Sequence, residues 1–230
     1  MTRQKREKIS VFYYLGRKKR LARFYPSPIH DTIIEPFAGS AAYSLHENNW
    51  KKNVIINDIA PHTILAWEYL LSATRADILS LPDLKPGDKL SQYKQLSEAE
   101  LWIIRWHISP GSRPNRKNDT VSRFSQWNAG KRYILNNLHK IKHWTLVKGD
   151  YSLLSNKRAT WFIDPPYEAT QHDYYQSNLD YVILANWIKS RRGQIIVCEK
   201  AGARWLPFKP LAEIAICGRL FSQEAVWLNL

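Results

Sequence analysis

Four short apolar runs, each closed by a small-residue turn or a carboxylate, narrow the folds open to this chain more than any other feature. Thr32-Ile33-Ile34 runs into Glu35-Pro36-Phe37-Ala38-Gly39, and Val54-Ile55-Ile56 into Asn57-Asp58. Thr145-Leu146-Val147 leads to Gly149-Asp150, and Thr160-Trp161-Phe162-Ile163 to Asp164-Pro165-Pro166-Tyr167. Runs of this length without polar alternation read as buried strands, and helical periodicity returns between them, over 62–71, 97–109, 130–144 and 179–190. Strands alternating with helices make an α/β fold, and the runs at 211–217 and 224–228 close it as a terminal hairpin. Ligands of open α/β sheets collect at the carboxyl ends of strands. Gly39, Asp58, Asp150 and Asp164 are therefore expected around one cavity.

The last of these tips carries the most chemistry. Neither Pro165 nor Pro166 has an N–H, both fix φ, and the Pro165 carbonyl is left unpaired. A carboxylate, a free carbonyl and the face of Tyr167 together suit an exocyclic amino group, held by both its hydrogens while its ring stacks on the tyrosine. The plain alternative is a Pro-Pro turn with an N-terminal Asp. Gly39-Ser40-Ala41 lets backbone N–H groups approach a ligand, with a helix expected from Tyr43, Leu45 and His46. The turn lacks the further glycines of a phosphate fingerprint, so no dinucleotide is expected. Asp58, roughly twenty residues on, stands where α/β folds hold the two hydroxyls of a ribose, or else caps the helix that follows. Asp150 can accept a hydrogen bond from the amino group of a cofactor's adenine. Upstream, Tyr13-Tyr14-Leu15 precedes Gly16-Arg17-Lys18, where glycine permits close approach and Lys18 is available to a carboxylate.

Charge points to the partner. The 230 residues carry a formal charge of +14, with ten Trp and twelve Tyr, which fits a polyanion read partly by stacking. No apolar stretch is long enough to span a membrane and no signal-peptide core opens the chain, so a soluble intracellular protein is expected. Between Pro110 and His143 eight Lys or Arg face only Asp119. Arg113, Arg116, Lys117 and Arg123, interleaved with Phe124 and Trp127, mark this segment for DNA contact, against a merely solvated face. Residues 74–96 read as a connection, because Pro82, Pro86 and Gly87 punctuate them. Cys198 and Cys217 end apolar runs and read as buried thiols. The histidines show no metal spacing, and none is expected; His139 and His143 read as a solvated helix face.

The order of these motifs resembles the Dam-like DNA adenine-N6 methyltransferases, in particular their short phage-type members, over nearly the whole chain. The resemblance implies a Rossmann-like S-adenosylmethionine-dependent fold: a mostly parallel sheet, helices on both faces and a small inserted DNA-recognition segment. It implies one methyltransferase domain over 1–230, acting as a monomer, with the insertion at about 87–144. Tyr14 and Lys18 match the amino-terminal cofactor motif, Glu35, Phe37 and Gly39 the methionine-side loop, Asp58 the ribose ligand, and Asp164, Pro165, Pro166 and Tyr167 the catalytic motif. Three positions depart from the pattern: Arg17 for glycine, Ala41 for the loop's second glycine, and Lys200 where short relatives tend to have Asn. A negative φ at Ala41 would make its methyl harmless. The implied reaction is direct methyl transfer to the N6 amine of a flipped DNA adenine. Cytosine-N4 methylation shares the geometry but tends to place Ser at position 164, and an inactive phage-derived DNA-binding protein is the reading of another class.

Overall fold

The computed structural model describes residues 11, 12, 14, 18–108, 119–169, 179–217 and 220–229. Five parallel strands form most of one sheet: β1 (Thr32–Glu35), β2 (Asn53–Asp58), β3 (Thr145–Lys148), β4 (Arg158–Ile163) and β5 (Arg192–Lys200). The hairpin β6 (Lys209–Cys217) and β7 (Leu220–Asn229) completes it, with β7 antiparallel to β5, in the order β3-β2-β1-β4-β5-β7-β6. The chain builds outward from β1 to β3 and then returns to place β4 on the other side of β1. The strand direction of growth therefore reverses between β1 and β4, which is the crevice-forming point of a doubly wound sheet.

Alternating side chains of the strands feed two cores, as the pleat requires. Ile33, Ile56, Phe162 and Ile196 join one cluster with Trp67, Trp102, Trp106 and Trp127. Ile34, Trp161, Ile163 and Ile195 join another with Leu184 and Ile188. The first is covered by α1 (Pro61–Ser72), α3 (Glu98–Ile108) and α4 (Trp127–Asn137), the second by α5 (Tyr181–Lys189).

Local chemistry sets these helices. Pro61 opens α1, where its missing N–H costs nothing. Ser97 and Glu100 form a reciprocal capping pair before α3, with Ser97 N donating to Glu100 Oε2 at 2.7 Å and Glu100 N donating to Ser97 Oγ at 3.3 Å. Asp180 caps α5 by accepting from the backbone of Val182 and Ile183.

Three expectations fail here. No helix starts at Tyr43: residues 36–48 wind through turns, because Ala41 and Glu47 both take positive φ, near 47° and 48°. Tyr43 instead stacks on Phe162 with ring centroids 4.1 Å apart. The supposed connection 74–96 contains α2 (Arg75–Ser80), started by a capping box in which Thr74 and Asp77 exchange hydrogen bonds. Trp127 is not a DNA contact but a core residue, 1% exposed, whose indole donates to the Pro82 carbonyl at 2.8 Å. Its burial pulls the start of α4 back from Gly130 to Trp127.

Candidate active site

A cavity of about 210 Å³ opens at the carboxyl ends of the central strands, where β1 and β4 part company. Its walls include Tyr14, Phe37, Gly39, Asp58, Asp150 and Asp164. The four strand tips singled out from the sequence therefore meet in one space. Residues that sequence patterns did not single out complete it: Tyr151, Leu179, Asp180 and Ile183 also line the wall.

The side formed by β1 and β2 is organised by Asp58. One carboxylate oxygen accepts from Gly39 N at 3.0 Å and the other from Ala60 N at 2.9 Å. The helix-cap alternative does not hold, because the residue capping α1 is Ala60 and no side chain caps it. Burial pushes the Asp58 carboxyl up to about 6, partly opposed by its backbone hydrogen bonds. Gly39 takes φ +48°, and a Cβ there would lie 2.9 Å from the ring of Tyr14. Only glycine lets the loop and the ring share that space. Ala41, two residues on, also has positive φ, so the expectation of a harmless negative φ fails and its methyl sits in a strained backbone. Asp150 lines the cavity while accepting from Ser152 N at 2.9 Å, and Phe37 packs on Tyr151.

Glu35 and Lys18 do not line the cavity. Glu35 is buried below the loop, where its Oε1 accepts from Ser44 N at 2.8 Å. Burial pushes its carboxyl up to about 8, so it is largely protonated at neutral pH. Lys18 was expected to serve a cofactor carboxylate; here its Nζ lies 2.6 Å from Asp164 Oδ1 and 3.8 Å from Glu224 Oε1. Burial alone would lower the lysine, but the two carboxylates more than reverse this and hold it charged.

Around β4 the motif is clamped by distant residues. Burial pushes Asp164 up to about 6, with Lys18 opposing and Glu224 adding to the rise. The Tyr181 hydroxyl donates to the Pro166 carbonyl at 2.6 Å. Among the described residues none donates to the Pro165 carbonyl, the acceptor the sequence had marked as free. The Tyr167 hydroxyl donates to Glu224, and Lys18 Nζ lies 4.6 Å from the centre of the Tyr167 ring. Glu199 accepts from the backbone N–H of Glu168 at 3.3 Å and from the Trp205 indole at 2.9 Å.

The expected DNA contacts Arg113, Arg116 and Lys117 lie outside the described residues. Arg123 is exposed, with its guanidinium 4.7 Å from the ring of Phe124, itself 65% exposed. Lys200 is exposed at the end of β5 and is absent from the cavity wall. No described helix is long and apolar enough to cross a membrane.

Sheet order and switch-point cavity define a Rossmann-like α/β fold with a ligand site ringed by carboxylate-tipped strands. Within that fold, the chain belongs to the D12 class N6 adenine-specific DNA methyltransferase family, whose model matches residues 14–156. It is thus an adenine-N6 DNA methyltransferase; β4, the Asp164–Tyr167 motif and β5 to β7 lie beyond the matched stretch. No curated protein matches the chain. Among solved structures it is similar to the rRNA methyltransferase aviRa from Streptomyces viridochromogenes, with 16% identity, 93% of this chain and 86% of that one covered, and a TM-score of 0.43. A conserved hypothetical protein from Streptococcus pyogenes is similar at 11% identity, with 86% of each chain covered and a TM-score of 0.37. The glycopeptide N-methyltransferase MtfA is similar at 15% identity, with 96% and 76% covered and a TM-score of 0.34.

Proposed function

We propose that S-adenosylmethionine is the methyl donor, and that the cavity holds it beside a flipped DNA adenine whose N6 amine Asp164 and the Pro165 carbonyl grip. The convergence of Gly39, Asp58, Asp150 and Asp164 on one cavity is the observation that carries this reading. Asp58 would receive the ribose hydroxyls and Asp150 the adenine amino group of the donor, with Tyr14, Phe37 and the Gly39 turn shaping the wall between them. Bound S-adenosylmethionine supplies an electrophilic sulfonium methyl.

The N6 lone pair is delocalised into the base and is a poor nucleophile. Two acceptors on its two hydrogens favour a tetrahedral nitrogen, whose lone pair is then free to attack. Lys18 engages Oδ1 of Asp164, which leaves Oδ2 for the amine. Transfer of the donor's methyl would leave positive charge on the amine nitrogen, which the ionised Asp164 would offset until one of the amine's two protons is released to solvent, with S-adenosylhomocysteine as the other product. Tyr167 stacks on the base, and Arg123 with Phe124 contributes to the DNA-facing surface. Lys18 serves Asp164 rather than the donor, and Glu35 supports the loop through Ser44. The chain acts as an intracellular monomer in this reading, with residues 87–144 carrying DNA recognition.

Tritium transfer from labelled S-adenosylmethionine to unmethylated DNA tests this directly. Asp164→Ala is expected to abolish transfer and leave salt-dependent DNA affinity in place. Loss of both together, or transfer that survives the substitution, would remove Asp164 from its role.

A further inference from the structure

Glu224 lies on β7, 57 residues after Tyr167, and is 3% exposed. Its Oε1 accepts from the Tyr25 hydroxyl at 2.7 Å and from the Tyr167 hydroxyl, and faces Lys18 Nζ at 3.8 Å. One carboxylate oxygen thus holds the far end of the ring that would stack on the base and half-surrounds the cation paired with Asp164. Strand register puts it there: Glu224 stands opposite Lys200 of β5 and Ala212 of β6, and Val226, on the same face, joins the core cluster with Cys198 and Phe162. A buried carboxylate is costly to desolvate, and an apolar side chain would fill this position without that cost. A second carboxylate beside Asp164 is harder still to account for by packing.

We infer that Glu224 is a positioning residue for methyl transfer, fixing the plane of Tyr167 through its hydroxyl and the place of Lys18, and through Lys18 the oxygens of Asp164. The inference rests on the roles given above to Asp164 and Tyr167. Among the described residues, the charged and titratable groups around Asp164 are Lys18, Glu224, Glu199 and Glu35, together with the Cys198 thiol and the Tyr25 and Tyr167 phenols. Of these, Glu224 and Glu199 disfavour its ionisation and Lys18 favours it.

Two substitutions separate the two tasks. Glu224→Gln keeps an oxygen for both hydroxyls and removes the charge; Glu224→Ala removes both. In Glu224→Ala, kcat is expected to fall about a hundredfold, the loss that a small misplacement of reacting groups produces, with KM for S-adenosylmethionine within about twofold. Glu224→Gln should stay within about fivefold of the parent kcat, yet both variants should move the acid limb of the pH–rate profile to lower pH. On the Ala background, Tyr167→Phe should add less than about twofold, because the two act as one unit. A kcat loss in Glu224→Ala that Gln does not rescue, additive losses in the double variant, or an unmoved acid limb would each overturn the inference. A crystal structure of Glu224→Ala gives an answer independent of turnover: Tyr167 and Lys18 must shift, and unshifted side chains overturn it. A parent chain that transfers no methyl group overturns the functional reading instead, and the crystal structure still decides the placement claim.

Discussion

Asp58 and Asp164 end strands on opposite sides of β1, line the same cavity, and are both pushed by burial to about 6, yet they are held by different means. Asp58 is held by two neutral backbone donors, and among the described residues no cation pairs with it. Asp164 sits in a charge cluster, with Lys18 between it and Glu224. Backbone donors fix a carboxylate in place without competing for its charge, which suits a group that must hold neutral hydroxyls. A cation shared between two carboxylates leaves one Asp164 oxygen uncommitted, with the negative charges of Glu224 and Glu199 nearby, which suits a group facing an amine that becomes positive. Two similar acidities thus arise from unlike surroundings, and only the second responds strongly to its neighbours.

Removing the cation should expose the contrast most. Lys18→Met strands two buried carboxylates, and loss of one member of a buried pair costs about 3 kcal/mol or more. Urea denaturation near pH 7 is expected to show that loss, and the acid limb of the rate should move above about 6, because Lys18 no longer favours ionised Asp164. A Lys18→Met chain as stable as the parent would erase the distinction between the two carboxylates. Asp58→Ala acts on the other side. Losing a charged acceptor for two hydroxyls should cost about 2–3 kcal/mol, or roughly 30- to 150-fold in Kd for S-adenosylmethionine by calorimetry, with DNA affinity unchanged. Weakened DNA binding in that variant would instead mean that Asp58 shapes the protein rather than the donor site.

The pH dependence of stability gives a subtler test. Both aspartates have folded pKa values above their ordinary one, so between about pH 4 and 6 the folded chain binds more protons than the unfolded one. Their contribution to stability is therefore greatest in acid and declines as pH rises through that window, while donor and amine binding need them ionised. Glu35 extends the same sign to about pH 8. Relative to the parent, Asp58→Asn should gain on the order of 2 kcal/mol between pH 4 and 6.5, read from urea midpoints. A constant difference across that range would place the Asp58 acidity at its ordinary value.

What the sequence made legible follows the same division. The Asp58 side is built from contacts within about twenty residues of chain, Gly39 to Ala60, and strand-turn patterns expose such local arrangements. The Asp164 motif was visible too, but Lys18 and Glu224 reach it from the two ends of the chain, and no spacing rule relates them. Glu224 left one trace, a charge beside the apolar run Ala225-Val226-Trp227, which sheet register turns inward. Trp127 misled because an aromatic amid basic residues looks the same whether it faces DNA or Pro82. The helix expected at Tyr43 failed because the signal for positive φ at Ala41 is a glycine that this chain lacks, and α2 was hidden by the prolines that follow it.

The loop over Asp58 offers the finest comparison, since Gly39 and Ala41 share a positive φ and differ by one methyl group. At Gly39 a methyl would meet the Tyr14 ring at 2.9 Å, and that ring lines the cavity. Gly39→Ala should therefore push Tyr14 and weaken S-adenosylmethionine binding about tenfold, the lower end of what displaced binding groups cost. At Ala41 the methyl is already accommodated and fully buried. Removing it relieves about 1 kcal/mol of left-handed strain, while the added chain freedom costs about 0.5–1 kcal/mol and the lost burial up to about 0.8. These terms nearly cancel. Ala41→Gly should shift stability by less than about 1 kcal/mol and leave Kd and kcat unchanged, which would make alanine a tolerated variant of the turn. A marked rise in transfer on Ala41→Gly would show instead that the strained methyl holds the loop away from its productive position.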